Sequence, residues 1–151
     1  MPDTSLQRRT ALLDALSETV LLCDGAFGSR IQAMDLDVER DFWGHENCTD
    51  ILTRSRPDLV RDIHVAYFEA GADMATTNTF GASPVTLAEF GLEADAFHLN
   101  REAAELAREA TGRFNDGRPR FILGDVGPGT KLPSLGHIAY DRLEAALKVQ
   151  C

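Results

Sequence analysis

Three short strand-like runs alternate along this chain with segments of helical periodicity, and this alternation limits the folds open to it. The runs cover residues 20–23, 72–77 and 121–124. The first is continuously apolar, as in a strand that helices cover on both faces. Strands that alternate with helices predict a parallel α/β sheet, either an open doubly wound sheet or a closed barrel. Three strands alone do not distinguish these two folds.

The clearest predicted helix follows the residues that start and stop it. Pro57 suits the first turn of a helix, and Gly71 stands where a left-handed C-terminal residue is expected. A helix is also predicted for residues 1–19, before the first strand, and a short one from Ser83 to Gly91. Two more are predicted, one with Leu99, Ala103, Leu106 and Ala110 on one face and one from Tyr140 to Gln150. Residues 35–55 are interpreted as a long loop.

Charge and apolar patterning exclude two classes of partner. The formal net charge is −9, from 24 acidic and 15 basic residues, and the basic ones are scattered, so nucleic acid is not expected as a partner. No apolar run reaches the ~18 residues of a membrane span, and no secretory signal is evident, so we expect a cytoplasmic protein without a membrane partner. Three cysteines, an odd number and far apart, suit a reducing compartment.

Each predicted strand ends in a small polar or glycine-rich cluster, at residues 24–28, 77–79 and 125–129. The carboxyl ends of parallel strands lie on one face, where ligands bind. The same residue types dominate ordinary turns, which is the alternative interpretation. Asp24 is the candidate with the clearest chemistry, because its carboxylate can pair with an ammonium group while nearby N–H groups hold a carboxylate. The pattern therefore suits an amino-acid ligand.

Several other motifs resemble functional sites and are set aside. Residues 124–131 have the glycine spacing of a phosphate loop, but a threonine precedes Lys131 instead of following it. His45 and Cys48 lack the further ligands that zinc needs, so we expect a loop with a buried cysteine there. His64 is expected to be a packing residue with its hydrogen bonds satisfied.

Six short segments then occur in a recognisable order: LCDGAFGS at 22–29, ENCTD at 46–50, RPD at 56–58, EAGAD at 69–73, TNTFG at 77–81 and GPGTK at 127–131. Together they resemble the homocysteine S-methyltransferase domain. The likeness runs from about residue 21 to the end. It is greatest to the N-terminal domains of cobalamin-dependent methionine synthases, especially at 41–43 and 129–138.

The resemblance implies a (β/α)8 TIM barrel, of which this chain would be the N-terminal portion with about three βα units. Such barrels run to ~250 residues, so residues 1–151 would form an incomplete homocysteine-binding domain. The family holds zinc with three cysteines from later strands, so zinc ligands are expected beyond residue 151. No catalytic and no metal-binding residue is therefore assigned within the chain.

The resemblance also implies a role for each candidate residue. Zinc would deprotonate the homocysteine thiol, which is mostly protonated when free, for attack on a methyl donor such as methylcobalamin. Thr76 departs from the family, since cobalamin-dependent members often have Glu there. By motif, the substrate-binding residues are Asp24 with the backbone of Gly25 and Ala26 for the amino-acid end, and Asn78 with the Gly127–Pro128 turn for the shape of the pocket.

The predicted function is therefore that of a homocysteine S-methyltransferase of the methionine synthase type, with homocysteine as substrate and methionine as product. Cobalamin and folate domains are expected as partners if the full protein has them, and this chain alone is expected to be inactive. Two alternatives stay open. One is another TIM-barrel lyase or synthase with the same strand-end layout, and the other is a stand-alone small-molecule binding module that completes its barrel by dimerising.

Overall fold

The computed structural model describes residues 4–151, with side chains from residue 10 onward, as a helix-rich α/β structure with a two-stranded parallel sheet. Single 3-10 turns join some of the elements, and residues 1–3 of the predicted N-terminal helix lie outside the described part. The elements are α1 (Thr4–Glu18), α2 (Phe27–Gln32), α3 (Val38–Asp41), α4 (Leu52–Ser55), α5 (Pro57–Glu69), β1 (Met74–Thr76), α6 (Pro84–Leu87), α7 (Ala96–Thr111), β2 (Phe121–Leu123) and α8 (Tyr140–Gln150).

The sheet brings the three predicted strands side by side. β1 and β2 pair in parallel, with Met74 opposite Phe121, and Cys23 forms an isolated parallel bridge to Met74. The prediction of a first strand buried on both faces is wrong, because Val20 is 84% exposed. In this run only the backbone around residue 23 pairs with β1, and the Val20 and Leu22 side chains are exposed, as are most described side chains of α1.

Residues 35–55 are not the long loop that the sequence predicts. They contain α3, α4 and a 3-10 turn. The Asp37 side chain caps α3 by accepting from the Arg40 N–H at 2.8 Å, and the buried Asp41 carboxylate pairs with Arg56 at 2.9 Å. Helices of four residues show no apolar period and are not stable alone, so α3 depends on the distant Arg56 as well as on its local cap.

The residues predicted to start and stop α5 and α6 occupy the ends of these helices. α5 begins with Pro57, and Gly71 just after it has φ +105°. α6 is capped by Ser83, whose side chain accepts from the Thr86 N–H, and the following turn ends at Gly91 in the left-handed conformation. Both predictions are confirmed.

α7 provides the apolar face on which α5 packs. Its four predicted core residues are all buried, and alanine at three of the contact positions lets the helices approach closely. No helix in residues 4–151 is long and apolar enough to cross a membrane. The buried residues that join α5, α7 and the sheet are Val60, Ile63, Phe68, Ala75, Ala103, Leu106, Ala107 and Ala110.

Candidate functional site

The carboxyl ends of the paired segments meet at one edge of the sheet, which we call the strand-tip site. It comprises the residues just after the bridge at Cys23 (24–28), after β1 (77–81) and after β2 (124–129). The loops contact one another directly, since the Asp125 N–H donates to the Thr77 hydroxyl at 3.1 Å and the Thr79 hydroxyl donates to the Asp125 carbonyl at 2.8 Å. All three predicted clusters therefore lie at the same edge.

Asp24 is held from both its backbone and its side chain. Its N–H donates to the Met74 carbonyl at 2.9 Å. Its half-buried carboxylate accepts the Thr76 N–H at 3.0 Å and the Thr76 hydroxyl at 3.1 Å. The neighbouring Cys23 thiol approaches the same carboxylate at 3.4 Å. Asp24 as a whole is only partly buried at the edge of the sheet.

The backbone of Gly25 and Ala26 is exposed and is bonded to α5. The Tyr67 hydroxyl donates to the Ala26 carbonyl at 3.1 Å. A Cβ at Gly25 would lie 3.2 Å from the same hydroxyl, so a side chain there would press on the tyrosine. Within the described residues, the N–H groups of Gly25 and Ala26 have no hydrogen-bond acceptor. Two free donors thus stand next to the Asp24 carboxylate.

The Asn78 side chain contacts the segment at the start of α4. It is 6% exposed, and its Nδ2 donates to the Thr49 carbonyl at 2.8 Å and approaches the Thr53 hydroxyl at 3.4 Å. The side-chain amide is therefore used inside the protein. Its Nδ2 joins the loop after β1 to the segment around Thr49 and Thr53.

The Gly127–Pro128 turn closes against the loop after β1. The Gly127 N–H donates to the Phe80 carbonyl at 3.1 Å, and a Cβ on Gly127 would clash with that carbonyl oxygen. Pro128 is exposed beside it. Only glycine allows the two loops to approach this closely, so this turn sets the position of the Phe80 backbone at the strand-tip site.

The strand-tip site is acidic. Burial, and then the nearby Asp24 carboxylate, raise the pKa of Asp125. Burial also raises the pKa of Asp50 to about 6, with a smaller contribution from Asp125. Within residues 10–151, no Lys, Arg or His side chain forms a salt bridge with Asp24, Asp50 or Asp125. A cationic group bound here would meet uncompensated negative charge.

Two contributors to this site were not identified from the sequence. In the sequence, Thr76 differs from the family pattern but carries no other site signal, and Asp50 belongs to a segment that predicts a loop. Asp50 accepts the Gly81 N–H at 3.0 Å across 31 positions of sequence. Neither contact has a local sequence signal, because each joins segments that only the folded chain brings together.

The histidines and cysteines do not form a metal site in the described residues. No group of three or more His, Cys, Asp and Glu side chains between residues 10 and 151 is arranged to hold a metal ion. The predicted buried cysteine is confirmed, since Cys48 is 1% exposed and burial raises its pKa to about 11. The His45 ring packs against Phe90 with 6.3 Å between centroids.

His64 lies on α5 and contacts Phe27 of the segment after Asp24. It is fully buried, and its ring packs against Phe27 with 5.4 Å between centroids, so the prediction of a packing residue is confirmed. The expectation that its hydrogen bonds are satisfied is wrong, since neither ring nitrogen has a partner among the described residues. Burial lowers its pKa to about 4, which keeps the ring neutral.

Comparison with known proteins gives consistent matches. A family model described as homocysteine S-methyltransferase matches residues 21–151. The chain is 44% identical to methionine synthase of Mycobacterium tuberculosis (strain ATCC 25618 / H37Rv) over 132 residues, and 40% identical to that of Mycobacterium leprae (strain TN) over 135 residues. These matches cover 87% and 89% of this chain but only 11% of each relative.

Solved structures agree with the sequence relatives. The metallated form of the homocysteine methyltransferase MmuM from Escherichia coli superposes with a TM-score of 0.68 at 26% identity, covering 93% of this chain and 50% of that one. The oxidized form gives 0.61 at 26% identity, covering 89% and 51%. This chain thus spans about half the length of these solved proteins and about a tenth of the curated relatives.

Proposed function

Because this chain belongs to the homocysteine S-methyltransferase family, we propose that its strand-tip site binds the amino-acid end of homocysteine for methylation of the sulfur. The family is one of methyltransferases, and the relatives named methionine synthase support methionine as the product. The observation that carries the proposal is the half-buried Asp24 carboxylate, which has no cationic partner in the described residues and stands beside two free N–H groups.

These groups complement the two charges of an amino acid. The substrate ammonium would donate to the Asp24 carboxylate, and the substrate carboxylate would accept from the N–H groups of Gly25 and Ala26. Hydrogen bonds between ionised partners are about twice as strong as neutral ones. The Asp125 carboxylate would also attract the ammonium group. It lies close enough to Asp24 for the Asp24 charge to raise the pKa of Asp125. The side chain of homocysteine would then extend away from this anchor.

Asn78, Gly127 and Pro128 would act indirectly. Asn78 fixes the segment around Thr49, and Gly127 fixes the loop around Phe80. We propose that these contacts set the walls of the pocket, in agreement with the family motif, and that none of these three side chains bonds to the substrate charges.

We propose that the thiol of homocysteine is activated by groups outside residues 10–151. We propose zinc as the activating ion, since zinc deprotonates a coordinated thiol, and the E. coli relative exists in a metallated form. The side chains of residues 10–151 do not fit a zinc site. We therefore assign to this chain only the binding and orientation of the amino-acid end. The relatives are about nine times longer than the matched region. We propose that a full-length protein of that kind has cobalamin and folate domains and uses a methyl donor such as methylcobalamin.

The proposal includes the wider fold and the location. We propose that the Cys23 bridge, β1 and β2 correspond to the first three strands of a (β/α)8 barrel, and that residues 1–151 are part of a homocysteine-binding domain. The superposition on half of the E. coli enzyme supports this. We also propose a cytoplasmic location, which the three unbonded cysteines favour.

Isothermal titration of the chain with L-homocysteine tests the proposal. Asp24→Asn keeps the size of the side chain but removes its charge, and it should weaken binding about tenfold or more, or ~1.4 kcal/mol. Asp14→Asn is the matched control, because Asp14 is exposed on α1, and it should bind like the wild type. The proposal is overturned if the wild-type chain does not bind L-homocysteine or if Asp24→Asn binds it equally well.

A further inference from the structure

We propose that Thr76 is a positioning residue that fixes the Asp24 carboxylate for an ammonium group and so makes the strand-tip site selective for ligands with a free amino group. This inference rests on the proposed function, since it names how the same site recognises its substrate. Its basis is a set of contacts in which one residue donates to both oxygens of one carboxylate.

Thr76 uses both of its donors on Asp24. Its N–H donates to Oδ2 at 3.0 Å, and its hydroxyl lies 3.1 Å from Oδ1 and 3.3 Å from Oδ2. In the parallel pairing, the Met74 N–H donates to the Leu22 carbonyl and the Asp24 N–H to the Met74 carbonyl. The next bond of such a ladder would end on the Asp24 carbonyl. The carboxylate takes that place, so the side chain itself closes the end of the pairing.

Thr76 lies on backbone that is paired within the sheet. Thr76 is the last residue of β1 and pairs with Leu123 of β2, and the following Thr77 N–H donates to the Leu123 carbonyl at 2.9 Å. A β-branched side chain such as threonine also has few χ1 rotamers. Rotation of the carboxylate about χ2 is otherwise broad. The hydroxyl therefore fixes an angle that the Asp24 side chain would not hold alone.

The remaining acceptor capacity of Asp24 then has a defined direction. An ionised carboxylate offers about four lone-pair sites, and Thr76 occupies sites on both oxygens. The Cys23 thiol approaches Oδ1 at 3.4 Å. Asp24 is only partly buried, and no Lys, Arg or His side chain among residues 10–151 forms a salt bridge with it, so we assign the remaining lone-pair directions to the ligand. An ammonium group donates along such directions. A ligand without the amino group gains nothing from this orientation, so loss of the hydroxyl should affect the two kinds of ligand differently.

The test compares L-homocysteine with 4-sulfanylbutanoate, the same ligand without its amino group, by titration of the full chain. Thr76→Val removes the hydroxyl at almost constant shape and keeps the N–H bond. It should weaken L-homocysteine binding roughly three- to tenfold, the range for one hydrogen bond, and leave 4-sulfanylbutanoate binding unchanged. Thr76→Ser restores the hydroxyl and should bind both ligands within about twofold of the wild type.

Thr111→Val serves as the control, because its hydroxyl donates to the Arg108 carbonyl at 2.8 Å at the end of α7 and takes no part in the strand-tip site. Circular dichroism of every variant shows whether it folds, and Thr76→Ala, which also lacks the hydroxyl, replaces Thr76→Val with the same expected result if Thr76→Val does not fold. Equal or tighter L-homocysteine binding by Thr76→Val, an equal loss for both ligands, or failure of Thr76→Ser to bind selectively would overturn the inference. If the wild-type chain binds no L-homocysteine, the proposed function itself fails and the inference fails with it.

Discussion

The carboxylate of Asp50 accepts the backbone N–H of Gly81 at 3.0 Å and thereby ties the turn before α4 to the loop after β1. The contact is tight, since a Cβ on Gly81 would lie 2.7 Å from the other carboxylate oxygen. Asp50 is only 6% exposed. A buried acid therefore supports one of the three loops of the strand-tip site, and its ionisation is coupled to the stability of that loop.

Replacement of Asp50 by asparagine should change how stability depends on pH. Burial raises the pKa of Asp50 from 3.8 to about 6 in the folded chain, so the folded state holds the proton more tightly than the unfolded state. Its contribution to stability therefore falls as pH rises from about 4 to 6. Asp50→Asn lacks this loss. Its free energy of unfolding should therefore rise relative to the wild type by up to about 3 kcal/mol between pH 4 and pH 6. Urea unfolding from pH 4 to 7 measures the difference, and a constant difference would contradict the account.

His64→Leu should have the opposite pH dependence. Burial lowers the pKa of His64 to about 4, so the stability that the neutral ring contributes is present above pH ~6.5 and is lost as pH falls through 4. The variant lacks this loss and also removes two unpartnered nitrogens. It should gain on the wild type by up to about 3 kcal/mol as the pH falls. Ile63→Val, a buried position of α5 without a titratable side chain, should differ from the wild type by a constant amount in the same series.

Gly127→Ala should separate the two loops that meet at Phe80. The new Cβ would clash with the Phe80 carbonyl oxygen, and overpacking of this kind costs about 1–3 kcal/mol. Gly124→Ala is a close control, because no heavy atom lies within 4 Å of a Cβ there, and it should stay within about 0.5 kcal/mol of the wild type. Thermal unfolding of both variants measures the contrast. Equal stability of the two would contradict the close approach of the loops.

The helices were predictable from sequence where one segment contains all the information. Pro57 and Gly71 mark the ends of α5, and the four apolar residues of α7 repeat at helical spacing and are all buried. The edge at which the polar clusters meet was predictable as well, since it follows from the parallel order of the strands. These features depend on local propensity and on chain direction alone.

The rest depends on contacts between distant residues. α3 needs the pairing of Asp41 with Arg56 as well as its own cap, and no periodicity indicates it. The exposure of Val20 depends on which elements pack on the run at 20–23, which the apolar run itself does not specify. The support of Asp24 by Thr76 spans 52 positions. A carboxylate can be recognised as a candidate from its motif, but the partner that orients it is visible only in the folded chain.

The most direct test of the central claim is a 1H–15N NMR titration of the chain with L-homocysteine. Binding of the amino-acid end at the strand-tip site predicts the largest amide shifts at Gly25, Ala26 and Thr76, with amides in the middle of α7 almost unchanged. Addition of 4-sulfanylbutanoate should shift Gly25 and Ala26 but leave Thr76 nearly in place. Shifts concentrated away from residues 24–26 and 76, or no shifts at saturating ligand, would contradict the account.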